Sequence, residues 1–331
     1  MRPALLTRRR SLKVIAGIVA LPLGALALQK LASHPQYHTW NGESLGGPAS
    51  LTLWHPNARF AEQTIARVRS EVERLEAVFS LFRTDSEISR LNRDGVLENA
   101  SPDIIATLTQ SHQIAAYSGG AFDPTVQPLW RLYEAWFRRH PDATTGPTAG
   151  EVEAARQLVD YRRIDIGSTR VEFSRPGMAV TLNGIAQGYI TDRVADLLRQ
   201  EGFEHALVEV GETRALGSNP EGGAWTVAIE DPRNPLRVNR SVDLADAALS
   251  VSGGYGLNFG RSALNHIFDP STGSSAAKVL DVAVIAPRAT TADALSTAIF
   301  VSGEQAAPNL LARYPGTRAT LTRLDGSTAT V

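Results

Sequence analysis

Apolar residues recur along the chain at intervals of three and four, and this spacing predicts helices. It runs from Ile65 to Phe79 and follows a turn and N-cap at Pro56-Asn57, which indicates an amphipathic helix that ends near Phe82. Capping residues indicate four further helices. One runs from Ser101-Pro102 to Gly119-Gly120, and a short one follows a capping box of Thr148 and Glu151. The other two run over 186–200 and from Thr290 or Thr291 to Val301. These segments are short enough to belong to a globular protein.

Shorter apolar runs, bounded by turn residues, predict strands. They lie at 51–54, 163–166, 171–173, 179–182, 206–210, 225–230, 242–244, 249–251, 282–285, 319–324 and 328–331. Asp325-Gly326 predicts a hairpin between the last two. Many neighbouring strands are too close in sequence for a crossover helix between them. The pattern therefore favours an α+β fold with mixed or antiparallel sheets over a doubly wound parallel sheet.

The first 27 residues have the pattern of an export signal. Basic residues and no acids accompany an apolar run from Val14 to Leu28, which Gly and Pro interrupt. Residues 7–13 resemble a twin-arginine signal, and Ala25-Leu26-Ala27 offers a small-x-small cleavage site. We therefore expect export, by the twin-arginine route, to the periplasm. The alternative is an uncleaved N-terminal membrane anchor.

Composition excludes several classes of protein. The 33 Lys and Arg residues nearly balance the 34 Asp and Glu residues, which argues against nucleic acid as the main partner. The absence of cysteine excludes disulfides, zinc-thiolate sites and thiol nucleophiles. Residues 28–48 are predicted to form a polar linker, and 49–331 a single domain, because no shift in composition divides that part of the chain.

Asp293 and Thr297 are the first candidates for a metal site. They lie four residues apart in a predicted helix, so their oxygens face the same side. A carboxylate, a hydroxyl and a nearby backbone carbonyl suit a hard cation that bridges phosphates. The same spacing also occurs where an acid begins a helix and a hydroxyl bonds its own backbone, so the pair alone does not decide between these interpretations.

Four other segments concentrate polar, aromatic and glycine residues in turns. They are residues 79–89, 119–125, 181–189 and 266–273. Simpler interpretations exist for each: the Asp-Pro pairs form turns, Phe82 and Phe122 belong to the core, and His266 makes a structural hydrogen bond.

Taken in order, these segments resemble the ApbE family of FAD:protein FMN transferases, over roughly residues 45–316. The family pattern Ser-x-x-Arg-x-Asp-Ser-Glu-Ile-Ser falls at Ser80 to Ser89, and Gly-Gly-Ala-Phe-Asp-Pro-Thr is complete at Gly119 to Thr125. His-Ile-x-Asp-Pro-x-Thr-Gly is complete at His266 to Gly273, and Ala-Asp-Ala-Leu-x-Thr appears at Ala292 to Thr297. The resemblance implies an ApbE-like α+β fold with sheets flanked by helices.

The resemblance also implies a reaction and its partners. Such enzymes use Mg2+ and FAD, transfer FMN to a Thr or Ser hydroxyl of a target redox flavoprotein, and release AMP. No nucleic acid is expected, and no integral membrane domain is expected if the signal is cleaved. Phosphoryl transfer depends mainly on alignment and charge neutralisation, which is consistent with the candidate oxygen ligands.

Site residues follow from the same resemblance. The side chains of Asp293 and Thr297 and the carbonyl of Gly184 are expected to hold the metal. The expected FAD contacts are Phe82, Ala121, Phe122, Asp123, Thr181, Gln187 and Ile267. His266 is the candidate base for the incoming hydroxyl, because an imidazole with an ordinary pKa near 6.5 accepts a proton at neutral pH.

Three positions in the predicted site depart from the family pattern. Thr181 stands where Asp is common, Gln187 where Lys is frequent, and Gly211-Glu212-Thr213 replaces Gly-Gly-Asp or Gly-Gly-Asn. Two alternatives to the transferase therefore stay open. One is a Mg2+-dependent FAD pyrophosphatase, in which water replaces the target hydroxyl, and the other is a non-catalytic periplasmic FAD-binding protein.

Overall fold

The computed structural model describes residues 15–16 and 36–331. Its helices, in chain order, are α1 (Ala58–Phe79), α2 (Glu87–Asp94), α3 (Pro102–Tyr117), α4 (Gln127–Arg139), α5 (Ala149–Arg156), α6 (Ala186–Gln200), α7 (Ala289–Ser302) and α8 (Ala307–Leu311). None of the helices in these ranges is both long and apolar enough to cross a membrane. The predicted export signal lies outside the described residues, apart from Ile15–Ala16.

Strands supply the other half of the fold. In chain order they are β1 (Ile15–Ala16), β2 (Tyr37–Ser44), β3 (Gly47–Trp54), β4 (Val96–Glu98), β5 (Ile164–Ile166), β6 (Arg170–Phe173), β7 (Ala206–Val210), β8 (Thr213–Leu216), β9 (Trp225–Asp231), β10 (Asn234–Leu244), β11 (Ala248–Gly253), β12 (Phe268–Asp269), β13 (Ser274–Ser275), β14 (Asp281–Ala286), β15 (Arg318–Thr322) and β16 (Thr328–Thr330). They form four sheets, and every neighbouring pair is antiparallel.

An eight-stranded sheet organises the molecule, in the order β16-β15-β14-β11-β8-β7-β3-β2. Two three-stranded sheets, β1-β9-β10 and β4-β6-β5, and the β12-β13 pair complete the fold. The α+β prediction is therefore confirmed, and the open choice between mixed and antiparallel sheets resolves to antiparallel for the described residues.

The large sheet is buried on both faces. Successive strand residues point to opposite faces: Val282 and Val284 join the main core, whereas Ala283 and Ile285 pack with Trp225 of β9. Helix α7 lies against β11 and β14 on the main-core side, where it contributes Leu295 and other buried residues. This packing fixes the helix that carries the two candidate metal ligands.

Most predicted boundaries are confirmed by local capping. The Asn57 side chain accepts the Phe60 N–H at the start of α1, and Ser101 accepts the Ile104 N–H at the start of α3. The capping box of Thr148 and Glu151 opens α5 as predicted. These helix starts could be predicted because each capping side chain bonds to an N–H group within four residues of it.

Two predictions about extended segments were wrong. Residues 37–48, expected to belong to a linker, form β2 and the start of β3, which pair along their whole length. Residues 179–182, predicted as a strand, join no sheet. Instead the Asn92 side chain accepts the Val180 N–H at 2.6 Å and donates to the Val180 carbonyl at 2.7 Å, so a side chain replaces a neighbouring strand.

Candidate functional site

One pocket gathers the predicted site residues, with the exception of Phe82. It lies among the turn after α3, the loop before α6, the ends of β7 and β11, the segment before β12, and α7. The predicted residues that line it are Ala121, Phe122, Asp123, Thr181, Gly184, Gln187, His266, Ile267, Asp293 and Thr297. Segments separated by more than a hundred positions in the sequence therefore meet at one place.

Asp293 anchors the crossing of α6 and α7. Its Oδ2 accepts the Gly188 N–H at 3.0 Å, and its side chain is almost fully buried. A Cβ at Gly188 would lie 2.4 Å from the Ala289 carbonyl oxygen, closer than any real side chain can sit. The two helices therefore meet in backbone contact, which only glycine allows at this position.

A second buried acid holds the start of α7. Asp192 of α6 accepts the Ala289 and Thr290 N–H groups, each at 2.9 Å. The preceding residue, Arg288, provides no side-chain cap, so Asp192 caps this helix from a different helix. Buried Arg214 donates to Asp192 at 2.6 Å and balances its charge. This network sets the position of Asp293 one turn further along.

Gly184 and Thr297 lie against one another. A Cβ at Gly184 would come within 2.9 Å of Thr297 Oγ1 and 3.3 Å of the Phe122 ring. The loop backbone therefore lies against the hydroxyl of Thr297, the residue that was predicted to act together with Asp293. The pocket wall at this point offers a carboxylate, a hydroxyl and nearby main chain, which is the donor chemistry that hard divalent cations prefer.

This oxygen set differs from a cluster of acids or histidines. Among residues 15–16 and 36–331, no three His, Cys, Asp or Glu side chains group as metal ligands. A site with only a carboxylate, a hydroxyl and a main-chain oxygen keeps open positions for phosphate oxygens and water, as Mg2+ sites commonly do. The residues present thus fit a cation that is shared with a phosphorylated substrate.

Glu212 adds a second carboxyl group to the pocket wall. Burial, and then the nearby charge of Asp293, raise the pKa of Glu212 well above its usual value, against a hydrogen bond from Ser250. The two carboxylates would repel each other if both were ionised without a cation. The pair therefore favours the entry of positive charge.

Asp123 works mainly as a clamp on the turn after α3. Its Oδ1 accepts the Thr125 N–H at 2.8 Å, and its Oδ2 accepts the Tyr161 N–H at 3.1 Å. Burial raises the pKa of Asp123 to about 6, and these hydrogen bonds oppose the rise. The carboxyl group joins two distant segments while it lines the pocket.

The raised pKa of Asp123 makes a prediction about stability. Because the folded-state pKa exceeds the ordinary value, this group stabilises the fold fully below about pH 4, and the stabilisation is lost as pH rises through about 6. From about pH 4 to pH 7 we expect Asp123 to contribute a loss of about 2–3 kcal/mol to the free energy of unfolding. Urea unfolding without ligands measures it. Asp123→Asn should remove this contribution, so the loss between pH 4 and pH 7 should be smaller by about 2–3 kcal/mol in the variant. An unchanged dependence would refute the assignment.

His266 is oriented by a main-chain carbonyl. Its Nδ1 lies 3.3 Å from the Leu257 oxygen, which also accepts the His266 N–H at 3.2 Å. A carbonyl can only accept, so this bond places the proton of the neutral ring on Nδ1 and the basic lone pair on Nε2. The geometry therefore suits a proton acceptor at the pocket wall.

Phe82 lies elsewhere on the surface. Its side chain is 63% exposed, and its ring lies 3.5 Å from the position of a Cβ at Gly46, in the β2–β3 turn. It does not line the pocket. The structure therefore separates this residue from the other predicted FAD contacts.

Apolar residues missed by the sequence analysis form part of the wall. Val126, Trp130, Leu257 and Phe268 line the pocket. Trp130 lies on α4, a helix that was not predicted. Its buried residues Leu129, Tyr133 and Phe137 recur every four positions, so the spacing rule, applied here, would have found it.

The fold and the site define an antiparallel α+β protein whose pocket pairs an acid and a hydroxyl of one helix with the glycine loop before another. The ApbE family model matches residues 45–321, and the chain belongs to this family.

Named relatives agree with this assignment. A protein of Vibrio cholerae named FAD:protein FMN transferase is 33% identical over 276 residues, which cover 79% of this chain and 81% of the relative. One of the same name from Haemophilus influenzae is 29% identical over 308 residues, with 89% of each chain covered. The crystal structure of the flavinyl transferase ApbE of Pseudomonas stutzeri, in its apo form, superimposes with a TM-score of 0.75 at 28% identity. It covers 89% of this chain and 94% of that one.

Proposed function

We propose that this chain is an enzyme that transfers FMN from FAD to a Thr or Ser hydroxyl of a target flavoprotein and releases AMP. The observation that carries the proposal is the convergence of Gly184, Asp293 and Thr297 in one pocket with the predicted flavin-contacting residues. The names of the relatives support the same reaction.

The bond changes are those of a phosphoryl transfer. The target oxygen attacks the phosphorus of the FMN half, and a phosphoester bond forms. The bond from that phosphorus to the bridging oxygen breaks, and AMP leaves with this oxygen. The hydroxyl proton goes to a base, for which His266 Nε2 is the candidate because Nδ1 faces the Leu257 carbonyl.

Asp293, Thr297 and the Gly184 carbonyl are the proposed holders of Mg2+. When bound, the cation neutralises charge on the diphosphate and on the transition state. Asp293 keeps its orientation through the bond from Gly188, and Gly184 is pressed against Thr297. The protein thus aligns its oxygen ligands before the substrate arrives, which reduces the cost of reorganisation.

The remaining pocket residues are proposed to hold FAD. Buried Phe122 forms an apolar part of the wall, and Asp123 fixes the turn beside it. Ala121, Thr181 and Ile267 line the same space. Gln187 lies in the first turn of α6, and its side chain packs over Gly211. Phe82 remains a proposed contact for a part of FAD or of the target outside the pocket.

Export by the twin-arginine route and action in the periplasm are also proposed, with an N-terminal anchor as the alternative. The basic, acid-free start and the apolar run after it support this part of the proposal.

Incubation of the purified protein with FAD, Mg2+ and a redox flavoprotein target tests the activity. We expect covalent flavin on the target, seen by fluorescence after denaturing electrophoresis, with AMP released in equal amount. Chelation of Mg2+ should stop both. Equal amounts of free FMN and AMP without labelled target would instead indicate a pyrophosphatase. Retained FAD with no AMP would indicate a flavin-binding protein.

A further inference from the structure

A buried chain of hydroxyl groups lies behind the proposed metal site. Thr297 Oγ1 is 3.2 Å from Ser252 Oγ, which is 2.8 Å from Ser296 Oγ. Ser296 Oγ is in turn 3.1 Å from Ser250 Oγ. Thr297 and Ser252 line the pocket, whereas Ser250 and Ser296 are hidden behind its wall and have almost no exposure. We call this chain the hydroxyl relay.

One end of the hydroxyl relay is a group that can only accept a hydrogen bond, the main-chain oxygen of Asp293. Ser296 Oγ lies 2.9 Å from the main-chain oxygen of Asp293. At the far end, Ser250 bonds to the carboxyl group of Glu212. The Asp293 carbonyl is thus a fixed acceptor at which the hydrogen bonds that begin at the Thr297 hydroxyl can end.

A hydroxyl group has one proton, so each hydroxyl of the relay donates one hydrogen bond, to only one of its neighbours. If the proton of Thr297 points at Ser252, an oxygen lone pair of Thr297 is left for a cation. Ser252 then donates to Ser296, and Ser296 donates to the Asp293 carbonyl or to Ser250. The opposite direction would turn the Thr297 proton toward the pocket, where it would repel a cation.

We propose that Ser296 is a positioning residue for the metal site, because it accepts from Ser252 and so holds the Thr297 proton away from the cation. The inference rests on the proposed function, since it needs Thr297 to be a metal ligand. Groups that orient metal ligands without touching the metal commonly change affinity by about 10–100-fold when they are replaced.

Calorimetric titration of Mg2+ into the ligand-free protein tests the relay without any measurement of turnover. Ser296→Ala should weaken Mg2+ binding about ten-fold, because Ser252 then has no acceptor on its far side. Ser252→Ala, which cuts the relay one bond nearer Thr297, should give a similar loss. Ser111→Ala is the matched control. Ser111 is also a fully buried helical serine, it donates only to the Thr107 carbonyl, and its loss should leave Mg2+ affinity unchanged.

A double-mutant cycle separates positioning from general destabilisation. In a Thr297→Ala background, Ser296→Ala should have no further effect on Mg2+ affinity, because the group that it orients is gone. Equal affinity of Ser296→Ala and wild type would overturn the relay but leave the proposed metal site standing. A ten-fold loss that persists without Thr297 would also overturn it. Failure of wild type to bind Mg2+ would overturn both the relay and the proposed metal site.

Discussion

Replacement of Asp293 by Asn is expected to lower the rate of FMN transfer by roughly a thousand-fold, while the protein stays folded. The amide oxygen can still accept the Gly188 N–H, which now reaches Asp293 Oδ2 at 3.0 Å, so the helix crossing survives. What is lost is the negative charge that holds the cation. A bound cation stabilises the charge of the transition state by several kcal/mol, and about 1.4 kcal/mol corresponds to each factor of ten in rate.

The rate is measured as AMP release at saturating FAD and target, with circular dichroism as the check on folding. Asp246→Asn provides the control, because Asp246 Oδ1 also accepts a glycine N–H, from Gly217 at 3.1 Å, and it does not line the pocket. That variant should keep its activity. A rate within ten-fold of wild type for Asp293→Asn would refute the assigned role.

Removal of the Asp192 side chain is expected to lower the free energy of unfolding by about 3–5 kcal/mol. Asp192→Ala leaves the Ala289 and Thr290 N–H groups without their cap and leaves buried Arg214 with only its longer contact to Asp196, at 3.4 Å. The poorly compensated buried charge is the main cost. Because α7 then loses its fixed start, Mg2+ affinity should fall as well.

Urea unfolding followed by circular dichroism measures this loss. Asp196→Ala is the matched control, one turn later on α6. Its acid pairs closely with Arg288, contacts Arg214 only at 3.4 Å, and has a side chain that is 27% exposed. Exposed pairs contribute little, so a loss of about 1 kcal/mol or less is expected there. If both variants lost the same free energy, Asp192 would not be the cap that joins α6 to α7.

Local signals in the sequence were sufficient for much of the fold. Helix starts at Asn57, Ser101 and Thr148 were predictable because the cap and its N–H partner lie within four residues. Strand pairing was less accessible. Residues 37–44 look polar, and only their pairing with β3 shows that they belong to the large sheet.

The site was predictable where its residues lie in compact motifs. Asp293 and Thr297 share a helix face, so their spacing made them candidates for an oxygen site. The resemblance to the ApbE family was needed to favour that interpretation and to add Gly184. Asp192 could not be assigned in this way, because the amides that it caps lie 97 and 98 positions further along. The serines of the relay are equally hidden, since Ser250 and Ser252 meet Ser296 only through the packing of α7 on β11.

In the proposed site, one divalent cation is held by Asp293, Thr297 and the Gly184 carbonyl. Crystals soaked with Mn2+ and FAD, and measured at a wavelength where manganese scatters anomalously, test it most directly. We expect an anomalous peak in contact with these three oxygen ligands and with the FAD diphosphate. A peak bound elsewhere, with FAD in the pocket and these oxygens bare, would contradict it.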